Sequence, residues 1–196
     1  MLINTHFIIS KSILDNLESS KSFFISEKNF IYGNIKPDIS SKYVLNKHYL
    51  EESLSMVLEK IKYLCQLTLD SLKKYFSISK LSQELGVICH FLCDFFTTPH
   101  SERWEFSHSM NKHVAYEKEL ASYAKGMDFS NCDLNHEIDH TVEEFFQSLY
   151  KKYKSCQTSY ENDLKYSSYA CRMIVNHVLE SILINTANSY TLANCV

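Results

Sequence analysis

Apolar residues recur along the chain at three- and four-residue steps, the spacing of one helix face. Residues 6–18 carry Phe7, Ile8, Ile9, Ile13, Leu14 and Leu17 on such a stripe. Residues 20–30 give a short amphipathic segment. The run from Tyr32 to Asp38 holds Gly33 and Pro37, and it reads as a loop because glycine and proline punctuate helices. From 48 to 76, Leu50, Leu54, Val57, Leu58, Ile61, Leu64, Leu67, Leu72 and Phe76 predict one long helix. Its first turn holds Glu51 and Glu52, which suit the positive end of the helix dipole. The next helix, capped by Ser79 or Ser82, runs to about Thr97. It is apolar nearly all round (Leu85, Val87, Ile88, Phe91, Leu92, Phe95, Phe96), so it should be the buried central helix. Pro99 ends it, since the residue before a proline avoids helical angles. Further helices are expected over about 109–125, 133–154 and 160–186, with Gly126 at a helix end.

Composition sharpens this picture. The 196 residues include only 3 Gly and 2 Pro, too few for the tight turns of an all-β fold or for a glycine-rich phosphate loop. No repeat, low-complexity tract or linker divides the chain, so one all-α domain is expected over residues 1–196, a multi-helix bundle. Lys and Arg number 20 against 23 Asp and Glu, which gives no basic surface for a nucleic acid, and none is favoured as a partner. Asn4, Thr5 and His6 interrupt the apolar start, so no secretory signal is expected, and no run is apolar enough to span a membrane. The 7 cysteines lack a paired spacing and read as reduced thiols. These features together point to a cytoplasmic protein, with export by another route left open.

The polar residues inside the oily segments carry the chemistry. His90 and Asp94 are four apart, hence about 40° apart on a helix and on one face. Burying an imidazole and a carboxylate together is costly unless something compensates them. A metal ion compensates both, and a His–Asp hydrogen bond within the core is the alternative. His100 follows in the loop after Pro99, and His113 and Glu117 repeat the four-residue step on the next helix. Asp38, His48 and His6 lie upstream, so the four histidines up to residue 100 all belong to the same constellation. Helix bundles build di-metal sites from inward-facing His and carboxylate groups of this kind.

This ordered series resembles the zinc-dependent phospholipase C family, whose all-α fold is shared with fungal single-strand zinc nucleases. The matching segments are Asn4-Thr5-His6, Gly33-Asn34-Ile35-Lys36-Pro37-Asp38 followed by His48, LGVICHFLCDFFTTPH at 85–100, and HVAYE at 113–117. The resemblance covers about residues 3 to 120. It implies two or three zinc ions. By resemblance His48, His90 and Asp94 hold one ion, His100, His113 and Glu117 a second, and His6 with a shared Asp94 the third. Asp38 matches the loop aspartate thought to act on the attacking water. Secreted members complete the third zinc with an N-terminal Trp. Here either Met1 substitutes for it, or that site is weak or empty. Ile39 stands where choline-preferring members carry an aromatic residue. The implied activity is metal-assisted hydrolysis of a phosphodiester, with a phospholipid yielding diacylglycerol and a phospho-alcohol. A single-strand nuclease and a non-catalytic zinc-stabilised helical protein are the alternatives. Any transient contact with a membrane surface would come from the helical domain itself.

Other motifs read as structural. His136-Glu137-Ile138-Asp139-His140 fits the zinc-protease pattern H-E-x-x-H, but Asp139 and the surrounding acidic residues describe a solvated face. Cys89 and Cys93 sit about 100° from the His90–Asp94 face and read as core filler. Trp104, beside Phe106, reads as packing, and His108 and His177 as ordinary helix or surface histidines.

Overall fold

The computed structural model describes residues 1–40, 47–104 and 110–193, so His108, Phe106 and Cys195 lie outside the described residues. The described residues form helices and connecting turns: α1 (Ile3–Asp15), α2 (Ser19–Ser22), α3 (Glu27–Ile39), α4 (Leu50–Cys65), α5 (Leu69–Ser71), α6 (Ile78–Phe95), α7 (Thr98–Ser101), α8 (Met110–Ala124), α9 (Val142–Ser155) and α10 (Tyr160–Ala193). A wider π turn, Leu72–Phe76, joins α5 to α6. The all-α class expected from the periodicity is the class found.

Helix α6 is the central one, as its apolar surface predicts, and every residue from Glu84 to Phe95 is buried. α3, α4 and α10 all pack on it, and α1 packs on α3. α6 starts at Ser77 rather than at Ser79 or Ser82: the Ser77 hydroxyl accepts the Lys80 N–H at 3.2 Å. Ser82 ties α6 to α3 instead, accepting the Ser26 N–H at 2.8 Å. Pro99 falls in the first turn of α7, where a missing N–H costs nothing.

Three segments differ from the sequence reading. The expected loop at 32–38 is helical and belongs to α3. Gly33 is there for close approach, not for a turn. A Cβ on Gly33 would lie 2.2 Å from the Gln83 carbonyl oxygen, and one on Gly86 would lie 2.2 Å from that of Phe30. The two glycines therefore let α3 and α6 cross backbone to backbone. The expected helix 48–76 is broken after Cys65. Asn185 of α10 donates to the Cys65 carbonyl at 2.7 Å, and Thr68 opens α5 with a capping box. Leu64, Leu67 and Leu72 are buried on both sides of the break, so the apolar spacing runs through it unaltered. The stretch 133–141 is not helical, because Thr141 starts α9 with a capping box closed by Glu144. The short segment at 20–30 likewise divides between α2 and the start of α3.

Candidate metal centre

The centre forms where α1, α3, α6, α7 and α8 meet. α6 supplies His90 and Asp94 one turn apart, both wholly buried. Just after α6 the chain turns at Thr97, whose hydroxyl donates to the Asp94 carbonyl at 2.8 Å, and α7 brings His100 back toward Asp94. α8 presents His113 and Glu117, with His113 Nε2 2.9 Å from Glu117 Oε1. α1 contributes the wholly buried His6, and the end of α3 contributes Asp38. The seven residues that the resemblance implies as ligands, and Asp38, thus converge.

Asp94 is the hub. Its Oδ2 lies 2.8 Å from His48 Nδ1 and 3.3 Å from His90 Nε2. Its Oδ1 lies 2.6 Å from the Met1 amino group, 3.5 Å from His6 Nε2 and 3.8 Å from His100 Nε2. The Met1 amino group also lies 2.9 Å from Glu117 Oε1 and 3.2 Å from His100 Nε2. Asp38 Oδ1 stands 3.5 Å from His90 Nε2 and 4.0 Å from His48 Nδ1, on the open side of the cluster, with about a quarter of its side chain exposed.

Three sets of donor atoms are close enough to share an ion: His48, His90 and Asp94; His100, His113 and Glu117; and His6, Asp38 and His90. Within each set the atoms lie within 4.8 Å of one another. The first two are the groupings that the resemblance implies. In the third, Asp38 and His90 join His6 in place of Asp94 alone. The Met1 amino group sits between Asp94 and Glu117.

The backbone fixes the ring of His90. Its Nδ1 donates to the Asn34 carbonyl at 2.7 Å, which turns the Nε2 lone pair toward Asp94 and His48. Asn34 is itself anchored to α1, donating to Ser10 Oγ at 2.6 Å. The second half of α3, where Gly33 and Pro37 suggest a loop, is therefore what aims His90.

Electrostatics follow from burial and crowding. Burial disfavours the Asp94 carboxylate, but the Met1 amino group, His100 and His90 hold its pKa well below the usual range. Burial opposes the charge on Glu117 too, and the same amino group with His100 and His113 pulls its pKa far down. Burial and the cationic neighbours push His90 well below the ordinary histidine value, which leaves its imidazole neutral and free to donate a lone pair. Asp38 is raised by burial and by the Asp94 charge beside it.

The donor set fits divalent ions on one further ground. Neither ring nitrogen of His6 makes a close hydrogen bond, although the ring is wholly buried with Asp94 Oδ1 3.5 Å from Nε2, and His100 Nδ1 makes none either. Buried imidazole nitrogens without partners are costly, and a metal ligand bond is the partner that fits.

The remaining motifs find structural places. His136 and His140 lie on non-helical chain, so no helix turn aligns them, and His136 Nε2 bonds Ser148 Oγ at 2.7 Å. Cys93 faces α10, its Sγ 3.7 Å from that of Cys171. Trp104 is packed against Tyr116, with Lys112 over its ring. His177 is half-buried on α10.

Among the described residues no helix is long and apolar enough to cross a membrane. The family model for zinc-dependent phospholipase C matches residues 5–171. Comparison with curated proteins and with solved structures gives no match. An all-α bundle that draws imidazoles and carboxylates into one buried cluster, and a match running from the first helix into the last, lead to one conclusion: the chain belongs to the zinc-dependent phospholipase C family.

Proposed function

We propose that the protein is a zinc-dependent phosphodiester hydrolase that cleaves a phospholipid to diacylglycerol and a phospho-alcohol. The observation that carries this reading is the convergence of His6, His48, His90, Asp94, His100, His113 and Glu117 in one buried cluster with Asp38 at its open side. His48, His90 and Asp94 would hold one ion, and His100, His113 and Glu117 a second. A third would lie on His6, with Asp94 or with Asp38 and His90 as its further ligands. Bound zinc supplies Lewis acidity at the phosphoryl oxygens and makes water a nucleophile near neutral pH.

The chain's own residues do the rest. Asp38 accepts the proton of the attacking water, its carboxylate standing at the open side of the cluster. The water oxygen bonds to phosphorus as the phosphorus–oxygen bond to the glycerol breaks, and the glycerol oxygen leaves with the proton that Asp38 took up. His90, held by Asn34, keeps the cluster's geometry fixed while charge develops. Ile39 beside Asp38, Ile3 and Phe7 on the His6 helix, and Met110 and Val114 on the His113 helix are all exposed. Apolar side chains on the elements that carry the site support a lipid substrate over a nucleic acid.

The test is turnover of mixed phospholipid micelles, of single-stranded DNA and of a chromogenic phosphodiester, by wild type and by Asp38→Asn. Loss of a general base costs roughly 10²–10⁴ in rate. The reading expects lipid turnover to fall by that factor in Asp38→Asn, with metal content unchanged. Turnover of DNA alone, or an unaffected variant, would contradict it.

A further inference from the structure

Beside the turn that carries His100, a carboxylate is buried without a role in the chemistry above. Asp163, in the first turn of α10, has no exposed surface. Four hydrogen bonds converge on it. Its Oδ2 accepts the Thr98 backbone N–H at 2.8 Å and the Tyr116 hydroxyl at 2.9 Å. Its Oδ1 accepts the Thr98 hydroxyl at 3.0 Å and the Tyr153 hydroxyl at 2.9 Å. All four donors are uncharged. An ionised carboxylate has about four lone-pair sites and no donor, so it matches this set, whereas an amide would turn an NH2 toward two of the donors.

The partners are placed tellingly. Thr98 lies two residues before His100, on the turn that carries it. Tyr116 immediately precedes Glu117 on α8. His100 Nε2 and Glu117 Oε1 stand 3.4 Å apart, yet they come from two different helices, α7 and α8. Asp163 thus joins α7 to α8 through one pair of oxygens. Tyr153 braces it from α9, and its ring packs against Phe96 at the end of α6.

We propose that Asp163 is a positioning residue that fixes the α7 turn against α8 and so sets the metal affinity of the His100, His113 and Glu117 group. The inference rests on the metal reading above, and it adds a residue that touches no ion. Groups that orient ligands in this way commonly change metal affinity by about 10–100-fold. The effect is confined to one ion, because His90 and His48 are oriented from α3 and α6 instead.

The experiment is a zinc titration against a chromophoric chelator, with wild type, Asp163→Asn, Glu117→Gln and the double variant, folding being monitored by circular dichroism. The expected result has three parts. Wild type binds its full complement. Asp163→Asn loses about 10–100-fold in affinity at one ion and keeps the others. The double variant binds no worse than Glu117→Gln alone, the non-additivity of two changes acting at one site. Tyr153→Phe removes a single donor and keeps the carboxylate. It should weaken the same ion to a smaller degree, and it carries the test if Asp163→Asn does not fold. Wild-type affinity at every ion in these variants, equal loss at all ions, or additive losses in the double variant would each overturn the positioning role. Zinc absent from wild type itself would instead overturn the metal reading on which it rests.

Discussion

Replacing Gly86 by alanine puts a methyl group into the crossing of α3 and α6. The added Cβ would lie 2.2 Å from the Phe30 carbonyl oxygen, 2.7 Å from the Asn34 nitrogen and 2.9 Å from the Gly33 carbonyl carbon. All three are backbone atoms, so no side-chain rotation relieves the clash. Ordinary contact begins near 3.4 Å, and α3 must move off α6 by roughly 1 Å. Overpacking that shifts backbone costs about 3 kcal/mol, and the better helix propensity of alanine returns about 1 kcal/mol. A net loss of about 2 kcal/mol is expected, readable as a lower urea midpoint at unchanged slope. The same movement pulls the Asn34 carbonyl from His90 Nδ1, now 2.7 Å away, so zinc affinity should fall as well. Gly126→Ala is the control: its Cβ would meet only the Tyr123 carbonyl oxygen, at 3.9 Å, and stability should stay within about 0.5 kcal/mol. Gly86→Ala as stable as wild type, with zinc binding intact, would refute the close-crossing argument.

Removing zinc should destabilise the fold, since an ion at 100 times its dissociation constant adds about 2.7 kcal/mol. For a chain of this size that is roughly 5–10 °C in Tm per ion, measured by calorimetry with chelator against added zinc, and an unchanged Tm would count against bound ions. Zinc binding should also depend on pH in a set direction. Burial lowers the His6 pKa, but Asp94 and Cys93 beside it more than reverse this, to about 9. A raised folded-state pKa gives stability that is present below pH 6.5 and lost as pH rises through 9. Burial is likewise overcome by Asp94 and Glu117 at the Met1 amino group, held at about 11, which keeps its charge through that window. The Cys93 thiol beside His6 is held down to about 6, and the stability linked to that shift grows over the same range and offsets this loss, so the direct readout is apparent zinc affinity, which should rise from pH 6.5 to 9 as the metal displaces the His6 proton. An affinity that is flat or falls over this range would contradict the placement of His6.

The candidate ligands are legible in the sequence because helix periodicity and metal chemistry act at the same spacing. His90 with Asp94 and His113 with Glu117 stand one turn apart, and the oily surroundings of α6 mark His90 and Asp94 as buried. The elements that aim these side chains were harder to read. Gly33 and Pro37 carry the same letters whether they break a helix or let one pass close to another, and only the partner Gly86, 53 positions away, separates the two. Likewise Gln66 to Thr68 interrupts the helix without interrupting the apolar spacing, because α10 satisfies the freed carbonyls through Asn185. Asp163 gave no signal at all. An aspartate in a first helical turn is ordinary, and its importance lies in Thr98, Tyr116 and Tyr153, which reach it from three other elements.

Diffraction from zinc-grown crystals, collected on both sides of the zinc absorption edge, locates the ions without reference to activity. The account predicts anomalous peaks about 2.0–2.2 Å from His90 Nε2 and an Asp94 oxygen, and from His113 and Glu117, with Asn34 still holding His90. Maps with no anomalous peak in the cluster, and with these imidazoles and carboxylates bonded only to one another, would contradict it.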